Sequence, residues 1–282
     1  MAVSERPCLY VWRPFLPKQR LRAARVPDSY RVYAIGDIHG RLDLLDQLLK
    51  RIDANLDAFP AQRALHVFLG DYVDRGAMSR QVIDRLIERS RTHESIFLRG
   101  NHELLVDQFL REPSILGQWQ RFGGLETLMS YGLTPSFEPS AEEQTRLAEE
   151  LATAMPQSHR RFFDGLRSSF HCGDYFFVHA GVRPGLPLDM QSESDLLWIR
   201  DDFLDSDEDF GKVVVHGHTP VSEPEIRSNR INIDTGAYAT GRLTCLVLEH
   251  SAGGFATNLS SRAGTSSGSA RIDLHPRWPL MR

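Results

Sequence analysis

Four short apolar segments of the chain each run directly into a cluster that combines glycine with histidine, carboxylate residues or both. The segment at residues 65–69 leads into Gly70–Gly76, which reads Gly-Asp-Tyr-Val-Asp-Arg-Gly. Residues 30–35 lead into Gly-Asp-Ile-His-Gly, 95–98 into Arg-Gly-Asn-His-Glu, and 176–178 into His-Ala-Gly. Open α/β sheets place their ligands at the carboxyl ends of their strands. The pattern therefore predicts an α/β fold in which one sheet edge gathers metal-ligating side chains.

Apolar residues at helical spacing follow the first two of these loops. They are Leu42, Leu45, Leu49 and Ile52 after the first loop, and Val82, Ile83, Leu86 and Ile87 after the second. A spacing of three and four marks a helix with one buried face. Strand, helix and strand in this order form βαβ units, and the handedness of their crossovers makes the strands parallel. The chain therefore predicts three parallel strands with their loops at one end of the sheet.

The pattern divides the chain into a basic arm, a central domain and a tail. The arm, residues 1–27, is rich in arginine and is expected to be a solvated extension. Within the domain, residues 28–250, the stretch 104–166 has helical periodicity and predicts an all-helical cap inserted between two halves of the sheet structure. The tail, residues 251–282, is rich in Ser, Gly and Ala and is expected to be disordered.

Composition excludes several classes of protein. The 282 residues carry a net charge of -4, which gives no reason to expect nucleic acid as the main partner. No apolar run is long enough to span a membrane, and the amino terminus lacks the apolar region of a secretory signal. The three cysteines form no Cys-x-x-Cys pair, which indicates a reducing compartment. We therefore expect a cytoplasmic protein, and the sequence leaves the oligomeric state open.

The side chains gathered at the predicted sheet edge are carboxylates, imidazoles and one amide. Such ligands suit divalent manganese, iron or zinc, and the absence of thiolates argues against a structural zinc site. Taken alone, any one of these loops is also typical of an ordinary turn with a solvated ion pair. A further predicted strand, residues 212–215, ends in His-Gly-His-Thr-Pro and adds two histidines to the set. The combination of all these loops at one sheet edge indicates a catalytic metal site.

The five motifs, in this order, resemble those of the phosphoprotein phosphatase family of calcineurin-like metallophosphoesterases, which includes bacterial and lambda-phage serine/threonine protein phosphatases. The match runs from Gly36 to Glu249. The resemblance implies an α/β fold, a calcineurin-like sandwich of two mixed β-sheets flanked by helices, with the helical cap as an insertion. It also implies two divalent metal ions, of which manganese is the first expectation, with iron or zinc as the other possibilities.

The resemblance assigns roles to ten polar residues, nine of them in these motifs and the tenth, Arg200, in the sequence Trp198-Ile199-Arg200. The implied metal ligands are Asp37 and His39 for the first ion, Asp71 for both ions, and Asn101, His179 and His218 for the second ion. The implied phosphate-binding residues are Arg75, Asn101 and Arg200. The implied catalytic pair is His102 with Asp74. Two guanidinium groups suit the oxygens of a phosphoryl group, because the planar fork of arginine matches them.

The function implied by the resemblance is hydrolysis of phosphoserine and phosphothreonine in a phosphorylated protein or peptide. A hydroxide that bridges the two metals would attack phosphorus directly, without a covalent intermediate. His102 would protonate the strongly basic alkoxide that leaves, and Asp74 would keep the imidazole charged.

Two other functions compete with this one. Dinucleoside tetraphosphatases resemble the same fold and commonly depart from the motif at the position of Asp74, which is present here. A catalytically silent binding scaffold would show losses among the ligands, and none is lost.

Several residues near the motifs receive structural rather than catalytic interpretations. His216 shares a strand face with His218, and we expect it beside the metal site rather than on the metal. Trp119 and Phe122 are predicted to lie in the core of the helical cap. Glu103 is expected to begin a helix or to support its neighbours.

Overall fold

The computed structural model describes residues 24–249 and 256–262, which contain ten strands and ten α-helices. The strands are β1 (Tyr30–Ile35), β2 (Arg63–Phe68), β3 (Glu94–Phe97), β4 (Ser169–Cys172), β5 (Tyr175–Val178), β6 (Val213–His216), β7 (Glu225–Ile226), β8 (Arg230–Asn232), β9 (Arg242–Glu249) and β10 (Ala256–Arg262). The helices are α1 (Leu42–Ala58), α2 (Ser79–Ser90), α3 (Asn101–Arg111), α4 (Leu116–Gln120), α5 (Gly124–Ser130), α6 (Ala141–Ala154), α7 (Gln157–Asp164), α8 (Glu193–Trp198), α9 (Asp201–Leu204) and α10 (Ala237–Thr240).

The strands form two five-stranded sheets, each with parallel and antiparallel pairs. The first sheet has the order β10-β9-β1-β2-β3, and the second has the order β4-β5-β6-β8-β7. Strands β1, β2 and β3 are parallel, as the βαβ pattern predicts. Strands β5, β6 and β8 are also parallel, while β4 and β9 pair antiparallel to their neighbours. The predicted fold class, two mixed sheets with flanking helices, is confirmed.

The two sheets pack face to face, and helices cover the other face of the first sheet. Val32 and Ala34 of β1 lie in one core cluster with Phe177 and Val215 of the second sheet. The alternate residue Tyr33 points to the opposite face, into a cluster that includes the buried leucines of α1 and α2. Burial on both faces explains why these strands read as continuous apolar runs.

The segment between β3 and β4 is entirely helical and contains α3 to α7. Its helices α5 and α7 pack against α2. The segment therefore lies beside the end of the first sheet where the polar loops emerge. Ser140 caps the start of helix α6, and its side chain accepts a hydrogen bond from the Glu143 N–H. This segment corresponds to the cap predicted for residues 104–166.

The structure differs from the sequence prediction near both ends. Ala24 and Val26 are buried against the second sheet, although both fall in the predicted arm, and the rest of the arm (residues 1–23) lies outside the described residues. Residues 256–262 fall in the tail predicted to be disordered, yet they form β10, which pairs with β9. Composition misses this strand because the open edge of β9 supplies backbone hydrogen bonds whatever the side chains are. The remainder of the tail lies outside the described residues.

Among residues 24–249 and 256–262, no helix is long and apolar enough to cross a membrane.

Candidate active site

The polar loops that follow β1, β2, β3, β5 and β6 converge at one end of the two sheets. All six predicted metal ligands are buried there: Asp37, His39, Asp71, Asn101, His179 and His218. They meet because parallel strands point their carboxyl ends in the same direction and because the two sheets pack face to face. The structure therefore brings together side chains that are up to 181 positions apart in the chain, the separation of Asp37 and His218.

The backbone of these loops is strained. Within the described ranges, the non-glycine residues with positive φ are His39 (48°), Asp71 (52°), Asp74 (71°), Arg75 (66°) and His218 (67°). Each is a predicted site residue, and each such conformation costs about 1–3 kcal/mol. The surrounding structure must hold these residues in place, which is typical of positions that serve function rather than stability.

Glu103 supplies part of that support. Its buried carboxylate accepts hydrogen bonds from the N–H groups of Gly100 (2.8 Å), Asp71 (2.9 Å) and Tyr72 (2.8 Å). It thereby joins the loop after β2 to the start of α3, in agreement with the supporting role expected from the sequence. Burial, together with the charge of Asp71, raises the pKa of Glu103 to about 7.

The first of two groups of candidate ligands contains Asp71, Asn101, His179 and His218. The His179 Nε2 atom lies 2.9 Å from Asn101 Oδ1, 3.2 Å from His218 Nδ1 and 3.4 Å from Asp71 Oδ1. The His218 Nδ1 atom lies 3.0 Å from Asn101 Oδ1. Donor atoms this close to one another, all buried, are spaced like ligands that share one ion.

The tautomer of His179 supports the same interpretation. Its Nδ1–H donates to the Leu69 carbonyl at 3.0 Å, so its Nε2 presents a lone pair to the other oxygen and nitrogen atoms. Burial lowers the pKa of His179, and burial lowers the pKa of His218 to about 2, so both rings stay neutral. Buried oxygen and nitrogen ligand atoms that converge beside the Asp71 carboxylate suit a cation. The residues present therefore fit a divalent metal ion.

The second group contains His39, Asp71 and His102, whose candidate ligand atoms lie within 4.8 Å of one another. The His39 Nδ1–H donates to the Val73 carbonyl at 3.0 Å, and its Nε2 lies 3.5 Å from Asp71 Oδ2. Burial lowers the pKa of His39 to about 3, which keeps this nitrogen available as a ligand. Asp71 belongs to both groups, one oxygen facing each, as expected of a residue that bridges two ions.

Asp37 is placed differently from the other predicted ligands. Its Oδ2 accepts a hydrogen bond from the His218 N–H at 3.0 Å, and it belongs to neither group. Its Oδ1 is buried and has no hydrogen-bond partner among the described residues. A Cβ at Gly217 would lie 2.1 Å from that oxygen, so glycine is what allows the carboxylate to sit there. Its assignment to the first ion stays a prediction, with Oδ1 as the atom it would offer.

The site concentrates negative charge away from water. Burial, with the charges of Asp234 and Asp71, raises the pKa of Asp37 well above its usual value. Burial also raises the pKa of Asp234 to about 6. Although burial opposes its ionisation, the neighbouring imidazoles of His102 and His179 hold the pKa of Asp71 below its usual range. Buried carboxylates of this kind are stabilised by bound cations.

His102, a member of the second group, forms a buried hydrogen-bonded pair with Asp74. The His102 Nδ1–H donates to Asp74 Oδ2 at 2.7 Å, and its Nε2 lies 3.7 Å from Asp71 Oδ2. Although burial lowers it, the charge of Asp71 and the hydrogen bond to Asp74 raise the pKa of His102. The raised pKa favours the charged imidazole, whose Nε2–H would point toward the candidate metal ligands. This geometry suits a proton donor.

The two predicted phosphate-binding arginines lie at the rim. Arg75 is partly buried, and its guanidinium lies 4.2 Å from the ring centroid of Tyr238. Arg200 is exposed at the start of α9, and its charge contributes to the lowered pKa of His179 and His218, which places it within electrostatic reach of the first group. Arg200 makes no ion pair with any residue that the structure describes. The predicted phosphate contacts of these arginines, and of Asn101, stay predictions.

Sequence reasoning missed two residues of the site and understated a third. Asp234 and Tyr238 follow β8, and the Tyr238 ring lies 5.4 Å from the His39 ring, centroid to centroid. Trp119 is buried in the helical segment as predicted, but its indole N–H also donates to Asp74 Oδ2 at 2.8 Å. The indole N–H of a buried tryptophan usually finds a hydrogen-bond acceptor. The sequence therefore allows the prediction that Trp119 donates a hydrogen bond, but it does not identify Asp74 as the acceptor.

His216 lies outside both groups of candidate ligands. Its Nδ1 is 3.1 Å from the Gly217 carbonyl, and its ring packs edge-on against Phe203. The partly buried Phe122 lies between the rings of His102 and Trp198, at centroid distances of 5.8 and 6.0 Å. Phe122 therefore lines the site as well as the helical segment.

The fold and these two groups of ligands define a metal-binding α/β protein with a candidate two-metal centre. A sequence model of the calcineurin-like phosphoesterases matches residues 30–245. Because that match covers more than half of the chain, the chain belongs to the calcineurin-like phosphoesterase family, whose chemistry is metal-dependent hydrolysis of phosphoesters. The predicted family is confirmed.

Curated relatives and solved structures extend this comparison. A bis(5'-nucleosyl)-tetraphosphatase PrpE [asymmetrical] of Anoxybacillus flavithermus is 27% identical over 75% of this chain and 88% of its own length. The protein of the same name from Bacillus anthracis is 30% identical with the same coverage. A crystal structure described as that of a candidate diadenosine tetraphosphatase superimposes with a TM-score of 0.56 and 20% identity, over 86% of this chain and 98% of its own.

A protein serine/threonine phosphatase from Saccharomyces cerevisiae superimposes with a TM-score of 0.50 and 15% identity, over 85% of this chain and 82% of its own. These two structural matches establish the shared fold.

Proposed function

We propose that this chain is a two-metal phosphohydrolase that cleaves dinucleoside tetraphosphates. The observation that carries the two-metal chemistry is the position of Asp71, whose two oxygens face the two groups of candidate ligands. The substrate class is supported by relatives named as asymmetrical bis(5'-nucleosyl)-tetraphosphatases, which this chain matches along 88% of their length. The sequence alone offers dinucleoside tetraphosphates as the alternative to a phosphoprotein substrate.

Each residue of the site then has a chemical task. The imidazoles of His39, His179 and His218, the amide of Asn101 and the carboxylates of Asp37 and Asp71 would hold two divalent ions. Such ions supply Lewis acidity and lower the pKa of water toward about 7. Arg75 and Arg200 would hold the phosphoryl oxygens at the rim, where guanidinium groups form paired hydrogen bonds. His102 would deliver a proton to the leaving oxygen from its Nε2.

The ligand chemistry also bears on the metal. Oxygen and imidazole donors without thiolate suit manganese first, with iron and zinc as the alternatives. The test is to remove bound metal with a chelator, add back manganese, iron or zinc separately, and compare the activity that each ion restores.

A second candidate function, hydrolysis of phosphoserine and phosphothreonine, is favoured by one specific observation. His102 and Asp74 form a complete proton-donating pair, with a hydrogen bond of 2.7 Å. A general acid is most useful when the leaving group is strongly basic, as a serine or threonine alkoxide is and a nucleotide phosphate is not. The pair would therefore be more valuable to a phosphomonoesterase than to an enzyme that cleaves anhydrides.

A comparison of substrates separates the two functions. The measurement is kcat/KM of the wild-type protein with manganese on diadenosine tetraphosphate and on phosphoserine and phosphothreonine peptides, with the nucleotide products identified. We expect diadenosine tetraphosphate to be the better substrate and to yield AMP and ATP. A peptide with the higher kcat/KM would establish the second candidate instead. Metal-dependent turnover of neither would contradict both and favour a binding scaffold.

A further inference from the structure

We infer that Thr127 and Trp119, both from the helical segment, are positioning residues that orient His102 through Asp74. The Asp74 side chain is fully buried and receives three hydrogen bonds. His102 Nδ1 and Trp119 Nε1 both donate to Oδ2, at 2.7 and 2.8 Å. The Thr127 hydroxyl donates to Oδ1 at 2.5 Å.

Thr127 holds Asp74 at two points. Its Oγ1 donates to the carboxylate and also accepts a hydrogen bond from the Asp74 backbone N–H at 2.9 Å. The backbone of Asp74 is in the left-handed region, with φ of 71°, which is an uncommon conformation for a residue other than glycine. Ser79 Oγ accepts from the same backbone N–H at 3.0 Å, so Thr127 shares the backbone contact with Ser79 and by itself holds Oδ1 of the residue that orients the imidazole.

The indole of Trp119 constrains the other oxygen. Because Trp119 and His102 share Oδ2, rotation of the carboxylate would break both hydrogen bonds together. In the described ranges no arginine or lysine pairs with this buried carboxylate, and His102, Trp119 and Thr127 supply the hydrogen bonds to its oxygens. Helices α4 and α5, and not only the loops of the sheets, thus set the direction of the proton donor.

This inference rests on the proposed hydrolase activity, in which His102 donates a proton. The central variant is Thr127→Val, which keeps the side-chain shape and removes the hydroxyl. Thr127→Ser keeps the hydroxyl and serves as the rescue. Thr145→Val is the matched control, because Thr145 is an exposed residue of α6 whose hydroxyl donates to the Ala141 carbonyl of the same helix.

The test compares two substrates that differ in the basicity of the leaving group, phenyl phosphate and p-nitrophenyl phosphate, at saturating manganese. We expect Thr127→Val to lower kcat on phenyl phosphate by about tenfold to a hundredfold and to leave p-nitrophenyl phosphate within about threefold, since a good leaving group needs no proton. Thr127→Ser and Thr145→Val should match the wild type on both substrates.

A second readout does not depend on activity. The indole N–H resonance of Trp119, assigned by its loss in Trp119→Phe, should move in Thr127→Val and stay in place in Thr145→Val.

Equal losses on both substrates, or the same loss in Thr127→Ser as in Thr127→Val, would show that Thr127 serves stability alone and would overturn the inference. An unmoved indole resonance would overturn it as well. Metal-dependent turnover of diadenosine tetraphosphate without turnover of either ester would overturn the inference and leave the proposed function standing. If the wild type turns over neither the esters nor diadenosine tetraphosphate, the proposed function fails, and the inference fails with it.

Discussion

Replacement of Glu103 by glutamine tests the support of the site most sharply. The Glu103 carboxylate accepts three backbone hydrogen bonds of 2.8–2.9 Å in a fully buried position. Glutamine has the same shape but offers one acceptor oxygen. Its NH₂ group would face either the N–H of Tyr72 and the more distant N–H of Val73 (3.4 Å), or the N–H groups of Asp71 and Gly100. Leaving at least one buried donor unpaired costs about 1–3 kcal/mol, and the remaining bonds lose their charge. The loss of stability should therefore be about 2–4 kcal/mol, which lowers Tm by roughly 5–15 °C for a domain of this size.

The assay is thermal and urea unfolding of the chelated protein, with Glu149→Gln as the matched control because Glu149 is exposed on α6. Manganese affinity is measured on the same samples. Since Glu103 holds the backbone of Asp71 and Gly100, we expect Glu103→Gln also to bind manganese more weakly. A Glu103→Gln protein as stable as Glu149→Gln would refute the claim that this carboxylate holds the two loops together.

Three further predictions follow from the site and the core. His102→Asn should lower kcat/KM on phenyl phosphate by about 10² to 10⁴ and much less on p-nitrophenyl phosphate; equal losses would contradict its role as proton donor. Arg200→Ala should lower kcat/KM by about tenfold to a thousandfold without loss of bound metal, on the scale of one charge-assisted contact; a rate equal to that of the exposed control Arg227→Ala would remove Arg200 from the site. Burial lowers the pKa of His66 from 6.5 to about 3. Between pH 6.5 and about pH 3 the unfolded chain therefore binds one more proton at this residue than the folded chain does. A fall in pH within this range should destabilise the fold by about 1.4 kcal/mol per pH unit. His66→Phe should remove that share of the slope of unfolding free energy against pH, and parallel curves for the two proteins would contradict it.

The sequence predicts the framework of the site because its determinants are local. Each strand ends in its own cluster of polar residues, and helical spacing after Gly36–Gly40 and Gly70–Gly76 specifies βαβ units. Parallel strands then bring the loops together without knowledge of side-chain packing. The expected clustering of His179 and His218 with Asp71 depends only on this topology, and the structure shows it.

The contacts that tertiary packing creates could not be predicted in the same way. Trp119 lies 45 positions from Asp74 in the chain, and Thr127 lies 53 positions from it, on helices whose placement no periodic pattern reveals. Tyr238 follows a short strand and reaches the site only because β8 lies next to β6 in the second sheet. Strand β10 depends on the open edge of β9 rather than on its own polar sequence.

Metal content of the Asp71→Asn variant tests the central claim most directly. The wild type and this variant are loaded with manganese, freed of excess ion, and measured for bound metal per chain, with the exposed Asp57→Asn as control. If Asp71 serves both ions, the wild type and Asp57→Asn retain two ions, whereas Asp71→Asn loses affinity for both and all metal-dependent turnover. Unchanged stoichiometry and activity in Asp71→Asn across a manganese titration would contradict the two-metal account.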